Sequence, residues 1–323
     1  MTSLSTTDGA SGLRRLLPSL RSVLMLLALG VLLIAMHVYA PAFLSYRNLI
    51  NVLVQSSTLG ILALGMTVVL ITGGIDLSMP ANLALSAIVG GMFIQNGGDP
   101  AIGCMIMLAS ATAIGALNGF AIGYLGMIPF VVTLATMSVA SGVAAWLSEG
   151  LSISKFPESF FDVLLARIGG VPISVLVTIF LIIAGTWLLA RTIFGRHLYA
   201  AGLSPRAARV ARVPVQKVTL SAYVLAGAAS GIAAILLTAR LGAASANMGA
   251  DSVVLDIISA CVVGGVSIYG GFGRLYNAAL GAVIITVISN ALNLLGASYF
   301  LGLVIKGLVI ITFIFLDARG KNK

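Results

Sequence analysis

The chain has 323 residues, 59% of them hydrophobic and only 8% charged, with 18 basic against 9 acidic side chains and a formal net charge of +9. A mean hydropathy of +1.12 excludes a soluble globular domain, in which about a quarter of the residues are charged. The cations fall between apolar runs rather than on one polar face, which excludes nucleic-acid binding and fits the basic loops of a polytopic membrane protein.

An all-α fold follows, because a helix of about 20 apolar residues crosses the hydrocarbon core. Runs of that order occupy 22–40, 49–72, 101–123, 128–147, 172–190, 218–238, 276–294 and 299–316. Two shorter runs, 81–95 and 257–269, bring the expected number of transmembrane helices to about ten. The chain divides into a tail at 1–21, a membrane domain at 22–317 and a second tail at 318–323. An even number of spans puts both termini on one side. With the termini cytoplasmic, Arg14, Arg15, Arg21, the polar island 191–217, Arg274, Arg319, Lys321 and Lys323 lie inside, and only Arg47, Lys155, Arg167 and Arg240 remain outside. That bias sets the expected orientation.

In chain order, Arg14, Arg15 and Arg21 precede an apolar run with no small-residue cleavage site after it, so the first span is read as uncleaved. Asn51 and Gln55 lie four apart near the outer end of the second span and suit either a polar substrate or interhelical bonding. Next comes Gly73-Gly74-Ile75-Asp76-Leu77-Ser78, where two glycines free the backbone before a helix start. Ser78 as N-cap, Pro80 in the first turn and Asp76 against the positive helix end satisfy the rules for initiation. The same break suits a gate, and Asp76 is expected near the cytoplasmic interface or in a polar cavity, since an isolated acid at the bilayer centre costs about 3 kcal/mol. Both short runs adjoin glycine-rich breaks, and the similar strings Ile88-Val89-Gly90-Gly91 and Val262-Val263-Gly264-Gly265 hint at an internal duplication.

Gly115, Gly119 and Gly123 recur every four residues, with Asn118 beside them, and Gly227 and Gly231 repeat the pattern. Such a ridge packs against another helix of the chain or against a second subunit. Cys104 and Cys261 lie inside apolar runs, so neither a disulfide nor a metal site is expected. After Trp146 comes the largest external loop, with Glu149, Glu158, Asp162 and a short amphipathic helix expected within 157–168. The island 191–217 carries Arg191, Arg196, Arg206, Arg209, Arg212 and Lys217 and no acid. Within it Ser204-Pro205 is a strong helix start and Pro214 a stop, giving about two turns that need outside support. That support is anionic membrane lipid or a groove on a soluble protein. Farther on, Asn290 and Asn293 share one helical face and suit either a polyol or interhelical bonding. Lys306, a cation inside an apolar run, needs a counter-ion, for which Asp256 is the candidate. No P-loop, zinc-protease or serine-triad pattern occurs, so an enzyme is not expected and no cofactor is assigned to this chain.

Several strings together resemble the permease subunits of bacterial ATP-binding cassette importers for sugars, the ribose, xylose and galactose class. They are Leu64-Gly65-Met66-Thr67 leading to Gly74-Ile75-Asp76-Leu77-Ser78; Gly195-Arg196-His197-Leu198-Tyr199-Ala200 with Ala207-Ala208-Arg209; Gly264-Gly265-Val266-Ser267 with Gly270-Gly271-Phe272-Gly273; and Asn293-Leu294-Leu295-Gly296 with Lys306 downstream. The resemblance runs from about residue 40 to 317. It implies a bacterial inner-membrane protein that pairs with a second permease subunit, the same chain or a paralogue, with the path between them. It also implies a cytoplasmic ATPase pair and a periplasmic sugar-binding protein, and it makes residues 204–213 the coupling helix seated on the ATPase. Gly195, Arg196, Ser204, Arg206, Ala207, Ala208 and Arg209 are the coupling residues so implied. The chain departs from the family pattern at Gly202-Leu203-Ser204, at Met79-Pro80 and at Arg212, which replaces a common glycine. Two alternatives stand beside this reading: a permease of the same superfamily for branched-chain amino acids or nucleosides, and a stand-alone ion-coupled carrier.

Overall fold

The computed structural model describes residues 40–298 and 300–308, together with positions 30, 34, 36 and 311. The expected tails and most of the first span lie outside the described residues. Of the last span, 300–308 is helical. Before it, among the described residues, come α1 (Tyr46–Ile71), α2 (Met79–Gln95), α3 (Pro100–Gly123), α4 (Pro129–Leu147), α5 (Glu158–Leu164), α6 (Ile173–Arg191), α7 (Ile193–Leu203), α8 (Pro205–Val210), α9 (Val215–Leu241), α10 (Asp251–Val263) and α11 (Leu275–Leu294). The protein is an all-α polytopic membrane protein. Among the described residues seven helical segments are long and apolar enough to cross a bilayer, and α2 is a shorter apolar helix.

The helices sort by how much of their apolar surface the protein itself covers. In α1, 83% of the most apolar stretch is buried, against 17% in α6 and 22% in α3 and α4. Since lipid is as apolar as leucine, a peripheral helix keeps its large side chains outside, as Ile179, Phe180, Ile183 and Trp187 do on α6. The centre is built from α1, which α9, α10, α11 and α6 surround, and from α2, which sits among α3, α4 and α9.

The glycine ridge accounts for the most extensive contact, α3 against α9. A Cβ at Gly119 would lie 2.9 Å from both the Cα and the carbonyl oxygen of Leu220, one at Gly123 would lie 2.8 Å from the Gln216 carbonyl, and one at Gly231 would lie 2.8 Å from the Leu108 Cα. The two backbones touch because no side chain separates them. The ridge is thus spent on packing inside the chain, not on a seam between copies.

Two expectations need correction. The second short helix is not 257–269 but Asp251–Val263, preceded by a 3₁₀ turn at Ala246–Gly249. Its first turn is polar, so an apolar run marks it too late; positive φ at Gly265, Gly270 and Gly271 then makes 264–274 a loop. The duplication hint also fails at the level of conformation. Gly90 and Gly91 lie inside α2, whereas Gly264 ends α10 and Gly265 is left-handed.

The interhelical turns fall at two ends. Contacts of Gly73 and Gly202 with the 264–274 loop, and of Gly123 with Gln216, put 72–78, 124–128, 192–214 and 264–274 at one end, called here the island end. At the opposite end Ile153 and Ala244 exchange two backbone hydrogen bonds of 2.8 Å. There α5 is pinned by Phe160, buried with Ile94, Met107 and Ala239. The short helix expected within 157–168 is therefore present as Glu158–Leu164, followed by a hairpin of two-residue strands, Arg167–Ile168 paired with Val171–Pro172.

Candidate functional site

The island folds as two short helices joined at a corner. Thr192 caps α7, its hydroxyl accepting from the Gly195 amide at 3.3 Å, and Gly195 is buried where α7 turns back on Leu189 of α6. Ser204 caps α8 in the same way, accepting from the Ala207 amide at 3.2 Å. Only Ala208 of α8 is buried; Arg206, Ala207, Arg209 and Val210 are exposed, Val210 to 87%. Arg196 is exposed on α7. The six-residue α8 therefore presents a cationic surface with an apolar tip and leans on α7 and α9.

The end of α8 explains one departure from the family pattern. The Val213 amide reaches back to the Ala208 carbonyl at 2.9 Å, a helix-closing turn that needs a left-handed residue at 212. Arg212 takes it with φ +60°, where glycine would sit without strain.

Beneath α7 lies the turn after α1. Gly73 is left-handed, and a Cβ at Gly74 would lie 2.6 Å from the Tyr223 hydroxyl, which instead donates to the Ile75 carbonyl at 3.1 Å. Ser78 is not the side-chain cap expected of it. Its backbone is already helical, and its hydroxyl donates to Asp76 Oδ1 at 2.6 Å, while its amide donates to the same oxygen at 3.0 Å. The chain of bonds continues outward: Asn118 Nδ2 donates to Ser78 Oγ at 2.9 Å, and Thr136 Oγ1 donates to Asn118 Oδ1 at 2.6 Å. Asp76, Ser78 and Asn118 are all buried, so this line of bonds ties the turn, α2, α3 and α4 together. Sequence spacing does not reveal it, because its members are up to 60 residues apart.

At the opposite end, Asn290 does not pair with its helical neighbour Asn293, which is exposed. It forms a reciprocal amide pair with Asn48 of α1, two hydrogen bonds of 2.9 Å each. Asn51 is exposed and Gln55 half-buried on α1. Lys306 lies 2.8 Å and 3.0 Å from the two carboxylate oxygens of Asp256, with the side chains 13% and 22% exposed. An open cavity of about 670 Å³ lies between the 95–100 turn and the 155–159 segment, lined in part by Gln95, Asp99, Lys155 and Phe156. Among the described residues, no three His, Cys, Asp or Glu side chains gather as metal ligands would.

Residues 48–314 match the family model for the branched-chain amino acid transport system permease component. The chain is 38% identical over 296 residues to a ribose import permease protein of Bacillus subtilis (strain 168), covering 91% of each. It is 32% identical to the D-allose transport system permease protein of Escherichia coli (strain K12), covering 85% of this chain and 84% of that one. To the L-arabinose transport system permease protein of the same strain it is 34% identical, covering 93% and 90%. No solved structure gives a significant match.

Proposed function

The chain belongs to the branched-chain amino acid transport system permease component family, and on that premise we propose that it is the membrane subunit of an ATP-binding cassette importer for a monosaccharide in the bacterial inner membrane. What carries the reading is the ribose permease relative, 38% identical over 91% of both chains; the allose and arabinose relatives narrow the cargo class to sugars. Two permease subunits enclose the path, about ten spans cross in each, and both termini face the cytoplasm. A separate ATPase pair hydrolyses ATP, and a periplasmic binding protein delivers the sugar to the face that carries α5.

Capped α8 is the part that fits a groove on the ATPase, because Ala208 alone of its residues is buried against the chain and Arg206, Arg209 and Val210 are left uncovered. The Gly73–Ser78 turn and its bonded neighbours form the inner gate, and Asn51, Gln55 and the Asn48–Asn290 pair stand at the outer mouth of the path. The family description favours a second reading, import of a branched-chain amino acid. Such a cargo needs a partner for both a carboxylate and an ammonium, and the one intramembrane ion pair seen among the described residues is already closed on itself.

Reconstitution in liposomes tests this. Uptake of labelled pentose should require ATP, the ATPase and the binding protein together, and Arg206→Glu with Arg209→Glu should abolish uptake while leaving insertion intact. Gradient-driven uptake by the chain alone refutes the importer; uptake of leucine in place of sugar moves the cargo to the second reading.

A further inference from the structure

The two short helices α2 and α10 are each attached to a glycine-broken loop at the island end: 72–78 leads into α2, and 264–274 follows α10. These loops are almost 200 residues apart, yet they meet. The Gly271 amide donates to the Ile71 carbonyl at 2.9 Å. A Cβ at Gly270 would lie 2.9 Å from the Gly73 nitrogen.

α7 rests on that meeting point. A Cβ at Gly202 would overlap the Ile71 carbonyl oxygen and lie 2.7 Å from the Gly271 nitrogen, so Gly202 sits directly against the hydrogen bond that ties the 264–274 loop to the last residue of α1, where the 72–78 turn begins. The Gly202 carbonyl lies against Gly270, and the Leu203 side chain covers Gly271. One turn earlier, Tyr199 Oη donates to the Gly273 carbonyl at 2.7 Å. Burial raises the Tyr199 phenol above its ordinary value, so at neutral pH it remains a donor. The inner face of α7 is anchored by Leu198 and Ala201, both buried, and its outer end continues through Ser204 into α8.

We propose that Tyr199 and Gly202 form the joint through which movement of α8 reaches the bases of α2 and α10 simultaneously. This rests on the importer reading above and adds to it the positioning residues that carry the stroke inward. A strut that touched one loop alone would tilt one short helix; this one lies where the 264–274 loop, the end of α1 and the Gly73 backbone come together. Gly202 supplies the close backbone approach, and Tyr199 supplies a directional tie that forces the 264–274 loop to follow α7.

The test is the ratio of sugar imported to ATP hydrolysed, measured on the complete transporter in proteoliposomes. Tyr199→Phe keeps the ring and deletes one part-buried hydrogen bond, worth about a fivefold change in an equilibrium. The ratio should therefore fall about fivefold, with ATP hydrolysis and the amount of assembled complex unchanged. Gly202→Ala should lower it further if that variant folds. Tyr276→Phe, whose hydroxyl is held at 2.6 Å by Arg274 on the exposed surface, should leave it as it was. An unaltered ratio in Tyr199→Phe overturns the joint, as does a loss of transport that only tracks loss of assembled complex. A parent protein that imports nothing with ATPase and binding protein present overturns the importer reading, and the joint falls with it.

Discussion

Replacing Gly119 by alanine adds one methyl group at the closest approach of α3 and α9. The new Cβ would lie 2.9 Å from the Cα and carbonyl oxygen of Leu220 and 3.0 Å from the Tyr223 Cβ. Two of those atoms are backbone, so no rotamer change relieves the contact, and the helices must part by about 0.5 Å to restore ordinary spacing. A gap of that size forfeits roughly a quarter of each dispersion contact along the interface, and overpacking of this kind costs up to about 3 kcal/mol. Alanine returns about 1 kcal/mol through helix propensity. The net loss of about 2 kcal/mol corresponds to a fall in melting temperature of about 4 °C for a chain of this size. The matched control is Gly142→Ala on α4, where a Cβ meets nothing within 4 Å and only the propensity gain operates. Thermal unfolding in detergent, followed by tryptophan fluorescence and paired with cross-linking of copies, reads both. A Gly119→Ala protein that melts with the parent, or one that keeps its melting temperature but loses its cross-linked dimer, refutes the packing argument.

Arg212→Gly should stabilise the island by about 1 kcal/mol, because glycine takes the left-handed turn after α8 without the penalty arginine bears; slower hydrogen exchange of the 208–213 amides is the readout. Lys306→Met should destabilise by about 3 kcal/mol through the stranded Asp256 carboxylate, and Lys306→Met with Asp256→Asn should recover most of that. A double mutant no more stable than the single one would show that the pair does not act as a unit.

The apolar spans were legible in the sequence because lipid tolerates no other pattern. α1, α3, α4, α6, α9 and α11 all lie within a few residues of the runs that mark them. α10 was displaced because its polar first turn and Asp256 both argue against a span, although Asp256 is paired with a lysine 50 positions away. The hairpin at 167–172 had a readable signal in Gly169-Gly170, both left-handed as a tight two-residue turn requires. Asn290 was singled out correctly as a buried amide, but its partner Asn48 lies 242 residues away, where no helical spacing leads. Ser78 shows the opposite failure: a local capping rule fits its neighbourhood, and a tertiary contact with Asp76 and Asn118 overrides it.

α2 has 17 residues and spans about 26 Å, less than the roughly 30 Å of a hydrocarbon core. Being enclosed by its own chain along most of its length, it has no acyl chains to match. Thickening or thinning the membrane therefore strains the rim, α4 and α6, and spares the helix that rises from the Gly73–Ser78 turn. Lipid composition should shift how the outer wall tilts before it disturbs the centre.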